Sequence, residues 1–501
     1  MAQPRVAAPG RSRAAAFGFP RLGAFAEREA AVVSAVALYA LVLLFVMPQM
    51  VVQDSWLALV SGREILSNGL PHTDTLAVWT SGAEWIDQQW LAHVAFYGVA
   101  SAGGIELALL AHVALLTTAF AAALAASRSL GASPRSAALM GMICIFVAPW
   151  SLQLRSQSFA IPLFVAVLWL LAADSRAPSR RVLLVLPLLV LWANLHGTVV
   201  LAALLVALRG VTLAFTSLRA RRRPADWLGR SLALGVLPFA CLFASPYGLA
   251  LVGYYRTMLV SPLLRDFVGE WAVSRPSVKT LSFYLVASIA VGLLLRSRSR
   301  LTGFEQLALL LLLAAGASAI RSITWFALAA AVLLPLLLDG LFSQRPRSRG
   351  PSMLRRSVAL AAGAAVLISL VVAFARPASW WSTGWPSAGA EDVASLVAER
   401  PGATVFADDR YADWLLWQQP QLAGRIAYDV RFELFTREQL DELVGYRNGV
   451  AEGWRRAIAG YDVLLVDHPL QPSLVRDLLA TGTYERSYRD RWLTVLNTPQ
   501  R

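Results

Sequence analysis

Residues Ala30 to Met50, AAVVSAVALYALVLLFVMPQM, carry no charged side chain. Residues Val52 to Tyr97, VQDSWLALVSGREILSNGLPHTDTLAVWTSGAEWIDQQWLAHVAFY, follow with Asp54, Glu64, Asp74, Glu84 and Asp87 and with Trp56, Trp79, Trp85 and Trp90. A helix needs about 20 apolar residues to cross the hydrocarbon of a bilayer. The first stretch therefore predicts a membrane span, and the second a loop just outside it. Carboxylates and indoles gathered beside lipid suggest a sugar site.

Working outward, the composition agrees. The chain is 57% hydrophobic and 15% charged over 501 residues, too apolar for an ordinary soluble protein. Cys144 and Cys241 both fall inside apolar runs and read as small core side chains, not as a disulfide framework or a metal cluster. The formal charge of +14 does not mark a nucleic-acid surface. From Pro377 onward lie 17 of the 31 acidic residues and 13 of the 45 basic ones, so the basic excess belongs to the apolar part. There it clusters in short connections, which is a topology signal, and nucleic acid is excluded as a partner.

Residues 1–29 form a basic tail without periodicity, expected to be cytoplasmic. After the span at 30–50 and the outer loop at 52–97, Leu91 to Ala102 shows helical spacing and is expected at the interface, with the next span beginning near Gly104. Further apolar runs lie at 104–126, 136–150, 158–173, 181–195, 197–217, 229–246, 280–296, 303–319, 322–340 and 356–376. Two uninterrupted stretches, Arg181 to Phe215 and Phe304 to Leu338, are too long for one crossing. They are expected to fold back at Asn194-Leu195-His196-Gly197 and at Arg321-Ser322. The expectation is a polytopic α-helical membrane domain over 30–376 with about eleven spans. Arginine clusters at the N-terminal tail, 128–135, 176–181, 219–223, 296–300 and 345–356 follow every second span, so one side of that bundle is cytoplasmic. Asp54 to Asp87, Arg155-Ser156-Gln157, His196, residues 245–279 and Arg321 then converge on the outer side, together with everything after Pro377.

Residues 377–501 read as an extracytoplasmic α/β domain. Ala403 to Ala407 and Asp462 to Val466 are expected as buried strands, and Leu440 to Gly445, Glu452 to Ile458 and Ser473 to Ala480 as helices. Asp408, Asp409, Asp467 and His468 end the strands, where carboxylates commonly cap helices and only sometimes form a site.

Asp54-Ser55-Trp56, Gly62, Ile65, Gly69, Pro71, Asp74, Trp85 and Trp90-Leu91 together resemble the first outer loop of bacterial GT-C-type integral-membrane glycosyltransferases, a protein-mannosyltransferase-like group. Leu191 to Gly197 (LWANLHG) is similar to a W-A-N-L-H-G stretch of that group. Arg155-Ser156-Gln157, Ser245-Pro246-Tyr247-Gly248 and Glu270-Trp271 resemble its R-P-Q, N-P-Y-G and E-W elements, and Tyr428-Asp429-Val430-Arg431 is weakly similar to a D-G-R element. The resemblance implies transfer of a sugar from a polyprenyl-phosphate donor to an envelope glycan, lipid or protein, among membrane lipids. Two departures stand out: many members have a histidine where this chain has Leu57 and Ala58, and a glutamate at Gln89. A different substrate, a takeover by Asp87, and lost activity all stay open.

Such a transfer needs a base, positive charge for the leaving phosphate and a dry groove for the lipid. Asp54 and then Asp87 are the candidate bases. Arg155 and Arg321 are cations on the side where few are expected, which suits a phosphate, the alternative being salt bridges to Asp266 or Glu270. Gln157, His196, Glu270 and Trp271 are further candidates for substrate binding. Trp79, Trp85, Trp90, Trp271, Trp380, Trp381 and Trp385 read mostly as an interfacial aromatic belt. No cofactor is assigned, and a divalent metal is left open, since one aspartate is a poor site unless Asp87 or Glu270 joins it. A transporter or flippase of a lipid-linked or anionic solute, or an inactive envelope scaffold, is the alternative function.

Overall fold

A computed structural model describes residues 25, 27–342, 352–448 and 453–499, so the basic tail lies almost wholly outside the described residues. Every apolar run marked out above holds a helix. Among the described residues, seven helices are long and apolar enough to cross a membrane, and Pro134–Ile145, Leu228–Cys241 and Gly303–Ser318 are apolar but shorter. The run at 181–195 is a 3-10 turn continued by the short helix Val185–Ala193. Ile320–Leu341 is the axis of the bundle, with 89% of its apolar window buried, whereas Met353–Phe374 lies on the rim with 11% buried. Around the axis pack Trp325, Trp192 and Phe164, with ring centroids 5.2 to 6.5 Å apart.

The outer loop is more ordered than its polar composition suggests. Gln53–Asn68 is a helix, begun by the Val52 amide donating to Ser55 Oγ at 3.0 Å and ended by Gly69 at φ 87°. Asp54 falls in its first turn, where the helix dipole favours a carboxylate. Trp90–Ser129 is continuous except at Gly103-Gly104, where φ of 71° at Gly104 breaks it into an outer arm and a span. The arm packs against the loop helix at Gly62. A Cβ there would stand 2.3 Å from the His93 carbonyl oxygen, so only glycine lets the two backbones approach.

The four-stranded sheet after Pro377 has the order β1-β2-β4-β3, with β1 Val405–Ala407, β2 Val463–Val466, β3 Glu485–Arg489 and β4 Thr494–Asn497. β1 and β2 are parallel, and the other pairs antiparallel. Strands β3 and β4 go beyond the sequence expectation, because β3 is mostly exposed and carries no apolar alternation. On its β1 edge the sheet continues. Val405 pairs with Ile426, and Val78 and Trp79 donate to the carbonyls of Ile426 and Ala427 at 2.8 and 2.9 Å. The outer loop is thus hydrogen-bonded onto the sheet, and the two form one roof over the bundle.

That roof corrects the reading of the tryptophans. Trp79 enters the core of the sheet domain, stacked on Tyr428 at 5.2 Å with its Nε1 donating to Tyr461 Oη at 2.9 Å. Trp85 is buried under the Arg431 guanidinium, Trp385 packs on Trp56, and Trp90 Nε1 donates to Asn194 Oδ1 at 2.9 Å. These indoles join protein to protein, so they do not form a belt against lipid.

Candidate active site

Between bundle and roof lies a cleft of about 330 Å³. Asp54, Arg155, Gln157, His196, Glu270, Trp271 and Arg321 all line it, brought together from widely separated stretches of the chain. Three local devices fix them. Ser55 Oγ donates to the Leu154 carbonyl at 2.6 Å and the Leu154 amide to the Met50 carbonyl at 2.9 Å, which sets Asp54 beside Arg155. The amides of Arg321 and Ile320 donate to the carbonyls of Glu270 and Ala272, which sets Arg321 over Trp271. Gln88 Nε2 donates to the Ala193 carbonyl at 2.7 Å and the Leu91 amide to that of Asn194 at 3.2 Å, which sets the His196 hairpin under the loop.

The charges are arranged unevenly. Arg155 is shared by two carboxylates, with Nε 2.9 Å from Asp54 and Nη1 2.7 Å from Glu270. Burial raises the Asp54 carboxyl above its usual range, against the opposing pull of Arg155. Asp266, the other partner considered for these cations, pairs with Arg437 instead. Arg321 has no ion-pair partner among the described residues, and its guanidinium stacks on Trp271 at 4.0 Å. His196 is buried and, facing Arg321 and Arg155, held well below the usual histidine range. Its Nδ1 accepts from the Thr198 amide at 3.3 Å and meets Thr198 Oγ1 at 2.7 Å, so Nε2 carries the proton and is the donor.

Asp87 is placed differently from the other candidates. It does not line the cleft; it is buried behind His93, whose Nδ1 it holds at 2.7 Å, and it is His93 that lines the cleft. Sequence reasoning misses His93, because the pair spans a turn and the start of a helix, where no periodicity links the two positions.

The roof supplies the opposite wall through Asp409, Phe432, Glu433 and Arg447, with Arg431 beside them. Arg431 is buried between Asp429 and Asp74, donating to the latter at 2.6 Å, and so joins roof to loop; this is what the weak D-G-R element does here. Burial raises the Glu433 carboxyl to about 7. Of the strand-end acids only Asp409 reaches the cleft, tied to Arg447 at 2.5 Å. Asp408 accepts from the Asp467 amide, and Asp467 pairs with Arg410 at 3.2 Å, so both serve the domain itself. Among the described residues no group of three His, Cys, Asp or Glu side chains stands ready for a metal ion.

At Arg321, His196, Trp271, Gln89 and Met258 the cleft opens into a second cavity of about 220 Å³. Its walls are apolar, with Val200, Leu201, Leu204, Tyr254, Tyr255 and Leu259. Leu204 and Leu259 are 44% and 49% exposed. A polar chamber thus adjoins an apolar groove, the two sharing Gln89, His196, Met258, Trp271 and Arg321.

No family model and no curated protein matches the sequence. Solved structures do match the fold. The apo oligosaccharyltransferase of Archaeoglobus fulgidus aligns with a TM-score of 0.53 at 13% identity, over 94% of this chain and 74% of that one. Archaeal AglB from the same organism, in complex with an inhibitory peptide and a dolichol-phosphate, gives 0.54 at 13% identity with the same coverage. Apo ArnT from Cupriavidus metallidurans gives 0.50 at 16% identity, over 93% and 98%. The protein therefore has the GT-C fold of integral-membrane glycosyltransferases, as the loop motifs implied.

Proposed function

We propose that the protein transfers a sugar from a polyprenyl-phosphate donor to an envelope glycan, lipid or protein on the outer face of the cell membrane. The observation that carries this reading is the junction of the two cavities at Arg321. An apolar groove walled by Val200, Leu201, Leu204 and Leu259 suits a polyprenyl chain, and the polar cleft beside it has room for one hexosyl or pentosyl phosphate head. Arg321 stands at the joint, where a phosphate would lie. Its planar guanidinium, not engaged by a carboxylate, suits a phosphate oxygen pair.

In this reading Asp54 orients the acceptor hydroxyl and takes its proton, and the oxygen attacks the anomeric carbon directly, with inversion. His196 Nε2 and Arg321 donate to the departing phosphate, while Arg155 keeps Asp54 and Glu270 in place. We assign the phosphate charge to guanidinium groups and not to a divalent metal, because the two carboxylates that would share such an ion share Arg155. The N-terminus is assigned to the cytoplasm and the sheet domain to the outside, from the arginine clusters.

The test is to give the purified protein candidate polyprenyl-phosphate sugars and measure release of the lipid phosphate, with and without acceptor, in the presence and absence of a chelator. Release that survives chelation is expected. Binding of donor without release under any condition would turn the reading toward a carrier or scaffold.

A further inference from the structure

Two histidines line the cleft, and their hydrogen bonds point them to opposite tasks. The backing of His196 is a threonine and a backbone amide, which leaves Nε2 a donor, as described. His93 is backed by a carboxylate. Asp87 Oδ2 lies 2.7 Å from its Nδ1, and Asp87 Oδ1 accepts from the Gln89 amide at 3.1 Å, so the carboxylate is clamped from two sides. A carboxylate there can only accept, hence Nδ1 must donate, and in the neutral ring Nε2 keeps its lone pair. The His93 and Asp87 side chains are 5% and 3% exposed, and Nε2 has no partner among the described residues. The ring nevertheless borders the cleft together with Asp54 and Gln89. A buried imidazole with a free lone pair facing a reaction chamber is a proton acceptor that calls for a proton source.

Asp54 supplies one. If Asp54 takes the proton of the acceptor hydroxyl, its charge opposite Arg155 vanishes, and that guanidinium is left with Glu270 alone. The proton must therefore move on before the ion pair re-forms. The other cleft histidine is unsuited, since its Nδ1 is occupied, its Nε2 is protonated, and Arg321 and Arg155 oppose a second proton.

We propose that His93 is the proton-relay residue of the cleft, with Asp87 as its positioning residue: the proton that leaves the acceptor hydroxyl passes from Asp54 to Nε2 of His93. This rests on the transferase reading above. The acceptor oxygen forms its bond to the anomeric carbon. The carbon–oxygen bond to phosphate breaks, and its electron pair leaves with the lipid phosphate. The proton goes from Asp54 to His93, where Asp87 balances the imidazolium, and then to water in the cleft. The device also accounts for Gln89: the place of an acid before Trp90-Leu91 is neutral here, and the acid stands at Asp87, acting through an imidazole.

The charged and titratable groups that share the cleft with His93 or touch its partner are Asp87, Asp54 from the loop helix, His196 from the hairpin, Tyr247, whose hydroxyl donates to the Pro71 carbonyl, Arg155, Glu270 and Arg321 across the cleft, and Asp409, Glu433 and Arg447 on the roof.

The test uses the full-length protein and whichever polyprenyl-phosphate sugar the wild type turns over. His93→Gln is expected to lower kcat by a factor on the order of 10 or more with an unchanged donor KM, as for a displaced proton acceptor. Added imidazole should restore part of the rate. Asp87→Asn should lower kcat in the same way with the donor KM unchanged, and added imidazole should not restore it, because the ring of His93 is still present. A folded His93→Gln protein that keeps the wild-type rate overturns the relay while leaving the transferase reading intact. A wild type that releases no lipid phosphate from any donor overturns the transferase reading and the relay with it. Nitrogen NMR of the histidine rings gives a readout that needs no turnover: His93 should show a protonated Nδ1 and a bare Nε2, and the opposite tautomer overturns the relay.

Discussion

The two ends of the helical bundle both hold arginines beside carboxylates, but they use them differently. At the end away from the cleft the pairing is closed. Arg209 meets Asp174 at 2.7 Å, Arg176 grips Glu305 at 2.7 and 3.0 Å, and Arg128 meets Glu29 at 2.7 Å. At the cleft end Arg155 is stretched between two acids and Arg321 rests on an indole with no acid of its own. Closed pairs hold helices together; an open set of charges has valence left for a ligand. The contrast predicts that the far arginines govern stability and those of the cleft govern chemistry.

The comparison is broken most easily at Asp174, which is 2% exposed. Among the described residues, Arg209→Ala leaves that carboxylate with the Ser179 amide and a distant Arg230 at 4.0 Å. Removing one partner of a buried pair costs about 3–5 kcal/mol. Chemical denaturation of Arg209→Ala beside Arg321→Ala should show that loss for the first alone. Equal losses for both would mean that the arginine of the cleft is structural too.

At the cleft end the largest effect should come from Asp54→Asn, which keeps size and removes the charge and the basicity. Turnover is expected to fall by a factor on the order of 10² or more, with the melting temperature nearly unchanged. Near wild-type transfer in this variant would take the base away from Asp54.

How much of this can be read from the chain differs by region for a physical reason. A span is a local property, since apolar length over one segment decides it, and the helices of the bundle stand where the hydropathy puts them. That Asp54, Arg155, His196, Glu270 and Arg321 meet at one cleft is legible because polar residues at the ends of spans are costly to keep near lipid. The roof is not legible in the same way. Trp79 and Trp85 look the same in sequence whether they meet lipid or protein, and only the pairing of residues 76–79 with 424–427 decides it. His93 is invisible because its meaning lies in Asp87, across the start of a helix. The weak D-G-R element marks Arg431 but not its task, because its second carboxylate, Asp74, is hundreds of positions away.

A sharper probe of the cleft arginines keeps the charge and changes its shape. Arg321→Lys retains a cation at the mouth of the apolar groove but loses the planar fork and the stacking on Trp271. Donor use should weaken by roughly tenfold, the value of one charge-assisted hydrogen bond, with melting unchanged. Unaltered donor kinetics would rule out the clamp.

The smallest expected effect tests the roof, where an acid is buried with no arginine against it. Asp408 is 4% exposed, and burial raises its carboxyl to about 7 in spite of the hydrogen bond from the Asp467 amide. An unfolded aspartate titrates near 3.9. Between those values the folded protein holds a proton that the unfolded chain has released, so folding is favoured there relative to higher pH. The sign follows: this contribution is fully present below about pH 4 and is lost as pH rises through about 7. Melting followed by tryptophan fluorescence should therefore fall by a few degrees between pH 6 and 8.5, with Asp408→Asn flattening that part of the slope. A variant whose melting falls with pH as steeply as the wild type would place the titrating group elsewhere, Glu433 on the cleft wall being the next to replace.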